Sequence, residues 1–256
     1  MKRLLTAIVL IPAIVYVVLW ADWRVFLGVL TVVALLCYHE YAGIAKAYGF
    51  GRMDLMGYGA GVLLLVWQAE TWPLIAVIAL AAMAEGMRGQ DLSKTLPRAA
   101  LLLLGVIYVF GCWKAAFALR QNYSHHWLMY ALLLNWAGDS SAYYIGRAFG
   151  NHRMAPRISP MKSWEGAAAS LVTSVLVGGA YLVRFVPGTT IAAAMALTVV
   201  ANAAGQLGDL AESAIKRGAS VKDSSDILPG HGGFLDRVDS TLFTLPVVYA
   251  WLKLVM

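Results

Sequence analysis

The stretch 4–20, LLTAIVLIPAIVYVVLW, contains no charged residue, and two residues later the chain enters another apolar run, 23–38, WRVFLGVLTVVALLCY. As helix, 17 residues reach about 25 Å, close to the ~30 Å hydrocarbon thickness of a bilayer. Met1, Lys2 and Arg3 before the first run give it the look of a signal peptide. No small-residue cleavage site follows cleanly, and the next apolar run comes at once, so it reads as a retained first span. The pattern then repeats. Apolar segments lie at Leu4–Trp20, Trp23–Tyr38, Leu55–Trp67, Trp72–Ala84, Ala99–Leu119, Trp127–Tyr144, Gly166–Phe185, Thr189–Leu207 and Thr241–Val255. The third and fourth fall short of a full crossing, so they either extend through their flanks or form a hairpin that dips in and returns. In both cases the chain comes back to the same side. Trp20, Trp23, Trp67, Trp72 and Trp127 stand near segment ends, where an interfacial aromatic belt would place them.

Composition agrees. Of 256 residues, 60% are hydrophobic and 13% charged; a soluble domain carries about 25% charged residues. Disorder is excluded by the abundance of apolar surface. Cys37 and Cys112 both sit in apolar runs, and with no Cys-x-x-Cys or Cys/His spacing they read as buried small hydrophobes. The reading is an all-α polytopic integral membrane protein of about nine transmembrane helices, one domain over 1–256, without internal repeat or linker.

Orientation follows from the basic residues. Alternate loops beginning with the N-terminus carry 15 Lys and Arg, the opposite loops carry Arg24, Arg120, Arg184 and Lys253, and Lys114 lies inside a segment. That asymmetry predicts a cytoplasmic N-terminus. It also accounts for the net charge of +6 without a nucleic-acid partner.

The acids are concentrated. Six of the 14 fall between 209 and 239: Asp209, Glu212, Asp223, Asp226, Asp236 and Asp239. Residues 1–125 therefore read mainly as scaffold, and 126–256 as a catalytic half with its site on the cytoplasmic face. Asp139 lies within an apolar segment, where a carboxylate is costly unless partnered and marks a functional site by default. A structural pair with Arg147 is the alternative. Asp209, Glu212, Ser213 and Lys216 share a helix face, which alone would be an ordinary surface of i,i+4 pairs. Beyond them, Lys216, Arg217, Lys222 and Arg237 are phosphate-binding types. Gly230, Gly232 and Gly233, around His231, would let backbone approach an anion. Asp236 and Asp239, three apart, can face one hard cation, whose usual ligands are carboxylate and phosphate oxygens. In the loop 147–166, Ser159 and Pro160 read as the N-cap and first position of a helix, with Arg153, Arg157 and Lys162 beside them.

These residues carry a resemblance. Residues 213–240, SAIKRGASVKDSSDILPGHGGFLDRVDS, resemble the signature of the phosphatidate cytidylyltransferases (CDP-diacylglycerol synthases). Upstream, 205–210 GQLGDL, 139–147 DSSAYYIGR and 158–166 ISPMKSWEG agree with it, and His39-Glu40-Tyr41 resembles the Glu-Tyr after that family's early spans. Ser163 departs from it, standing where Thr is commoner in the family.

The resemblance implies transfer of CMP from CTP to phosphatidic acid, releasing pyrophosphate. It also implies two cation positions, for Mg2+ and a second ion such as K+, and a homodimer; the short chain with no organelle presequence leads us to expect a bacterial cytoplasmic membrane. Carried over residue by residue, it makes Asp209 and Asp236 the first metal ligands and Asp239 and Asp223 the next. Lys216, Arg217, Lys222 and Arg237 would hold phosphates. Asp139, Ser159 and Lys162 would complete the pocket near the lipid headgroup, with Arg147, Ser213 and the glycines alongside. Two alternatives stay open. One is a CTP-using enzyme acting on another lipid phosphate or alcohol. The other, an ion-coupled transporter, has Asp139 and the short segments in its favour but no internal repeat. The Asp-Gly-x-x-Ala-Arg opening of the CDP-alcohol phosphotransferases is absent.

Overall fold

The structure, a computed structural model, describes residues 2–50, 54–88, 91–227 and 232–255. Among them, helices dominate: α1 (Lys2–Leu19), α2 (Trp23–Ala47), α3 (Asp54–Val66), α4 (Thr71–Gly86), α5 (Thr95–Gly105), α6 (Cys112–Ala118), α7 (His125–Phe149), α8 (Trp164–Phe185), α9 (Ile191–Gly218) and α10 (Leu235–Val255). α5 and α6 form one rod, joined through a π-helical stretch at Val106–Gly111 and continued by a second at Leu119–Tyr123. Nine helical rods result among the described residues. Five are long and apolar enough to cross a membrane: Trp23–Ala47, Leu92–Tyr123, Trp164–Phe185, Ile191–Gly218 and Leu235–Val255. α3 and α4 have 13 and 16 residues, about 20 and 24 Å of helix.

Helix starts follow local chemistry. The side chains of Asp22, Ser124 and Thr190 accept from backbone N–H groups of Arg24, His126 and Ala193, at 2.9, 3.1 and 3.2 Å, capping α2, α7 and α9. The expected cap at Ser159 is corrected. Residues 153–163 form a two-stranded antiparallel hairpin, β1 (Arg153–Ala155) and β2 (Ser159–Ser163), the one departure from an all-helical chain among the described residues. The residue before a proline is driven from helical to extended backbone, so Ser159-Pro160 enters a strand. The cap is Ser163, whose Oγ accepts from Gly166 N–H at 3.2 Å.

Polarity is distributed as a lipid solvent requires. Val25, Val32, Leu80, Leu176 and Val200 are exposed, while Asn135, Asn202, Ser170, Ser174, Thr198 and Thr244 are buried. Small residues and hydrogen-bonded side chains at helix contacts, with apolar ones outside, are how spans associate in lipid.

Two outlying cations are structural. Lys114 donates to the carbonyl of Leu64 at 3.1 Å and to that of Trp67, closing the end of α3. Arg120 donates through Nε to the carbonyl of Val18 at 2.8 Å and through a terminal nitrogen to that of Ala21, closing α1, with its guanidinium 4.5 Å from the Phe26 ring centroid. Both serve carbonyls that a helix end leaves unpaired.

Candidate active site

α7, α8, α9 and α10 meet along a polar seam. Asn202 Nδ2 donates to Ser170 Oγ and Ser174 Oγ, each at 3.0 Å, and Gln206 Nε2 donates to Asn202 Oδ1 at 2.6 Å. Thr244 Oγ1 donates to Asn135 Oδ1 at 3.2 Å. The helices approach closely because small residues line the contact. A Cβ at Gly138 would lie 2.6 Å from Ser170 Oγ, and one at Gly208 would lie 2.7 Å from the Asp239 carbonyl. The seam sets the helices in register, so one turn further along each brings its acids to a common level. Asp139 stands four residues after Asn135, Asp209 three after Gln206, and Asp239 on the first turns of α10.

This layer is acid-rich. Lys162 Nζ on β2 pairs with Asp209 Oδ2 at 2.6 Å, and Ser213 Oγ lies 3.5 Å from Asp209 Oδ1. Lys216 pairs with Glu212 Oε2 at 2.5 Å and also with Asp236. This is the i,i+4 pair expected on a solvated face, yet Glu212 is 1% exposed and Lys216 8%. The difference is packing: the last turns of α9 lie under the loop that leads to α10. Asp239 accepts from the N–H of Ser240 at 2.7 Å and lies within electrostatic reach of Asp209, Glu212 and Asp139. Asp139 is within reach of Asp209, Lys162 and Arg237. The pair with Arg147 is not formed; Arg147 instead donates to Tyr143 OH at 3.1 Å.

The donor chemistry fits a hard divalent cation. Asp139, Asp209, Glu212 and Asp239 crowd one region with Lys162, Lys216 and Arg237 as nearby counter-charges. Glu212 is buried, and beyond the Lys216 ion pair on Oε2 its Oε1 has no hydrogen-bond partner among the described residues. A group of carboxylate oxygens that outnumbers its counter-charges is what Mg2+ takes, with water or phosphate filling the remaining positions. No three His, Cys, Asp or Glu side chains among the described residues already converge as a preformed metal site. Asp236 is the most engaged of the expected ligands. Besides Lys216, it accepts from Ser224 N–H at 2.9 Å and from Gly233 N–H at 2.8 Å.

The glycine stretch is explained by these internal carboxylates. Gly230 and His231 lie outside the described residues. Gly232 has φ +75°, and a Cβ there would be 2.6 Å from Asp236 Oδ2. A Cβ at Gly233 would collide with Ser224 Oγ and with a carboxylate oxygen of Glu40. Glu40, on α2, is buried. Each of its oxygens accepts one serine hydroxyl and one backbone N–H: Oε1 from Ser225 at 2.6 Å and Phe234 at 2.9 Å, Oε2 from Ser224 at 2.9 Å and Leu235 at 2.7 Å. The backbone amides of 233–235 are thus turned toward Asp236 and Glu40.

Lys222, Asp223 and Arg237 are exposed, and their side chains form no hydrogen bond or ion pair among the described residues. Arg217 ties loops together, donating to the carbonyls of Ile158 at 3.3 Å and Val221 at 3.1 Å. Ser159 is half-buried in β2. Glu40, Glu212, Ser224 and Ser225 were not among the residues the sequence singled out for the site. Signals for two of them were present: Glu40 stands two residues after the apolar run 23–38, within the His39-Glu40-Tyr41 match, and Glu212 stands three residues from Asp209 and four from Lys216.

The model of the cytidylyltransferase family matches residues 1–255. A phosphatidate cytidylyltransferase of Bacillus subtilis (strain 168) is 39% identical over 163 residues, 62% of this chain and 60% of its own length. One from Haemophilus influenzae (strain ATCC 51907 / DSM 11121 / KW20 / Rd) is 44% identical over 123 residues, 46% of this chain and 43% of its own. One from Staphylococcus haemolyticus (strain JCSC1435) is 41% identical over 150 residues, 59% and 57%. The chain thus spans about half the length of these curated relatives. With the family model matching nearly the whole chain, the protein belongs to the cytidylyltransferase family.

Proposed function

We propose that the chain is a phosphatidate cytidylyltransferase, transferring CMP from CTP to phosphatidic acid. A phosphate oxygen of the lipid attacks the α-phosphorus of CTP, the bond to the β-phosphate breaks, and CDP-diacylglycerol and pyrophosphate leave. The observation that carries this reading is the layer of carboxylates and lysines at one end of the α7–α10 seam, where a lipid headgroup and a soluble nucleotide can both arrive. Two anions must be brought together. Lys162 and Arg237 near Asp139, and Lys222 on the exposed loop, supply charge that offsets their repulsion. A phosphate monoester is largely ionised at neutral pH, so the nucleophile needs no strong base.

Asp209 and Asp239, with Glu212 behind them, Asp236 in the first turn of α10 and Asp223 from the loop, are the oxygen ligands that would hold Mg2+. When bound, that ion would stabilise the charge growing on the leaving pyrophosphate. The 15-to-4 asymmetry of basic residues supports a cytoplasmic N-terminus with this layer facing the cytoplasm, and nine crossings of a bacterial cytoplasmic membrane are part of this proposal. The second cation and the homodimer implied by the family resemblance belong to the same reading.

The test is purified protein with CTP, Mg2+ and phosphatidic acid, assayed for pyrophosphate and CDP-lipid. Equal amounts of both are expected. Transfer to dolichyl phosphate instead would change the acceptor, and no transfer to any lipid phosphate would overturn the proposal.

A further inference from the structure

We infer that Glu40 is a positioning residue: from the N-terminal half of the chain it fixes the loop and the first turn of α10, and so sets where Asp236 and Asp239 stand relative to Asp209 on α9. The inference deepens the proposed activity and rests on it.

Glu40 is 1% exposed and forms no ion pair among the described residues. An isolated buried carboxylate is strongly unfavourable unless it is fully hydrogen-bonded. Here both oxygens are saturated by four neutral donors, all from a segment 184 to 195 residues away in sequence. Two of those donors, the N–H groups of Phe234 and Leu235, belong to the start of α10, where helix N–H groups lack internal partners and the helix dipole favours a negative charge. A third N–H at this start, that of Gly233, goes to Asp236.

The same carboxylate therefore grips both stems of the loop, Ser224 and Ser225 on one side and Phe234 and Leu235 on the other. Asp236 follows one residue later, held in turn by Ser224 N–H, and Asp239 one turn beyond. Glycine at 233 follows from this grip, because a side chain there would occupy the space of the Glu40 carboxylate. α2 is itself anchored beside the site: Tyr41 OH donates to the carbonyl of Leu101 at 2.9 Å, and Tyr48 OH to that of Ile215 at 2.8 Å.

The test compares wild type with Glu40→Gln and with Ser224→Ala/Ser225→Ala, which removes the two hydroxyl donors and leaves α2 untouched. Glu40→Gln keeps the size but replaces one acceptor oxygen with an amide donor that faces Ser224 or Ser225 and an amide N–H. Three readouts are taken. Hydrogen exchange at residues 232–236 should speed up at least tenfold in Glu40→Gln, while α8 stays as protected as in wild type. The kcat for CMP transfer should fall roughly 10- to 100-fold, as for other supports of metal ligands, with KM for phosphatidic acid unchanged. The Mg2+ concentration for half-maximal activity should rise. The serine variant should show smaller changes of the same kind.

Wild-type kcat, Mg2+ dependence and loop protection in Glu40→Gln would overturn the inference while leaving the proposed function standing. Accelerated exchange throughout the chain would also overturn it, by making Glu40 a general stability residue. If wild type transfers no CMP, the proposed function fails, and the exchange comparison still decides whether Glu40 holds the loop.

Discussion

Lys216 offers a sharp test of the site's electrostatics. Its ammonium lies between Glu212, 1% exposed, and Asp236, 5% exposed. Lys216→Met preserves most of the stem's volume and removes the charge. Asp236 would keep its two backbone N–H donors, but Glu212 would be left buried with no partner. Breaking a buried pair by deleting one member costs about 3–5 kcal/mol, and the damage falls mainly on Glu212. Replacing the whole pair with apolar groups is often neutral. Lys216→Met/Glu212→Leu should therefore recover much of the loss, giving a coupling of about 2–3 kcal/mol between the two sites. The assay is unfolding by SDS titration in mixed micelles, followed by tryptophan fluorescence, with EDTA present so that bound cations do not replace the missing charge. Stability of Lys216→Met within about 0.5 kcal/mol of wild type, the scatter of ordinary surface changes, or two substitutions whose effects simply add, would refute the reasoning.

Three further outcomes are expected. Asp209→Asn should abolish turnover with little change in unfolding midpoint, because its pair with Lys162 is partly exposed and such pairs contribute about 0.2–1 kcal/mol; EDTA should likewise stop wild-type turnover, and Mg2+ should restore it. Arg120→Ala should lower stability by about 1.5–3 kcal/mol, the range for hydrogen bonds to a charged group, with kcat measured in the same micelles unchanged. Ser163→Ala should lower stability by about 1 kcal/mol through loss of the α8 cap, whereas Ser159→Ala should not, a contrast that unfolding titrations of both variants would check.

Much of the fold was legible because lipid imposes a simple code: long uncharged runs must become helices. The nine apolar segments correspond to nine rods among the described residues, and the helices run past the apolar runs where polar side chains find partners. α9 continues to Gly218 through Asp209, Glu212 and Lys216, the helix face already readable from their spacing, and α10 starts at Leu235, ahead of the apolar run that begins at Thr241. The hairpin at 153–163 was missed because Ser-Pro suits either a helix start or an extended segment, and only the packing against α7, α8 and α9 separates the two. At the site, density of charge located the region but not the pairings. The grip of Glu40 on Phe234 and Leu235 joins residues almost 200 positions apart, and no local pattern encodes such a contact. The glycines at 232 and 233 read as room for an anion, and the carboxylates the structure places there are the chain's own, Asp236 and Glu40.

The amide and hydroxyl seam has one more consequence. In hydrocarbon, shifting α9 along its axis would not merely loosen contacts; it would break the bonds from Asn202 to Ser170 and Ser174 and from Gln206 to the Ala167 carbonyl, where no water can replace them. Apolar packing tolerates such slippage, but matched polar side chains do not. Asparagine and glutamine thus work as a vernier between the helices, and the alignment of the acids above them is a reading of that scale.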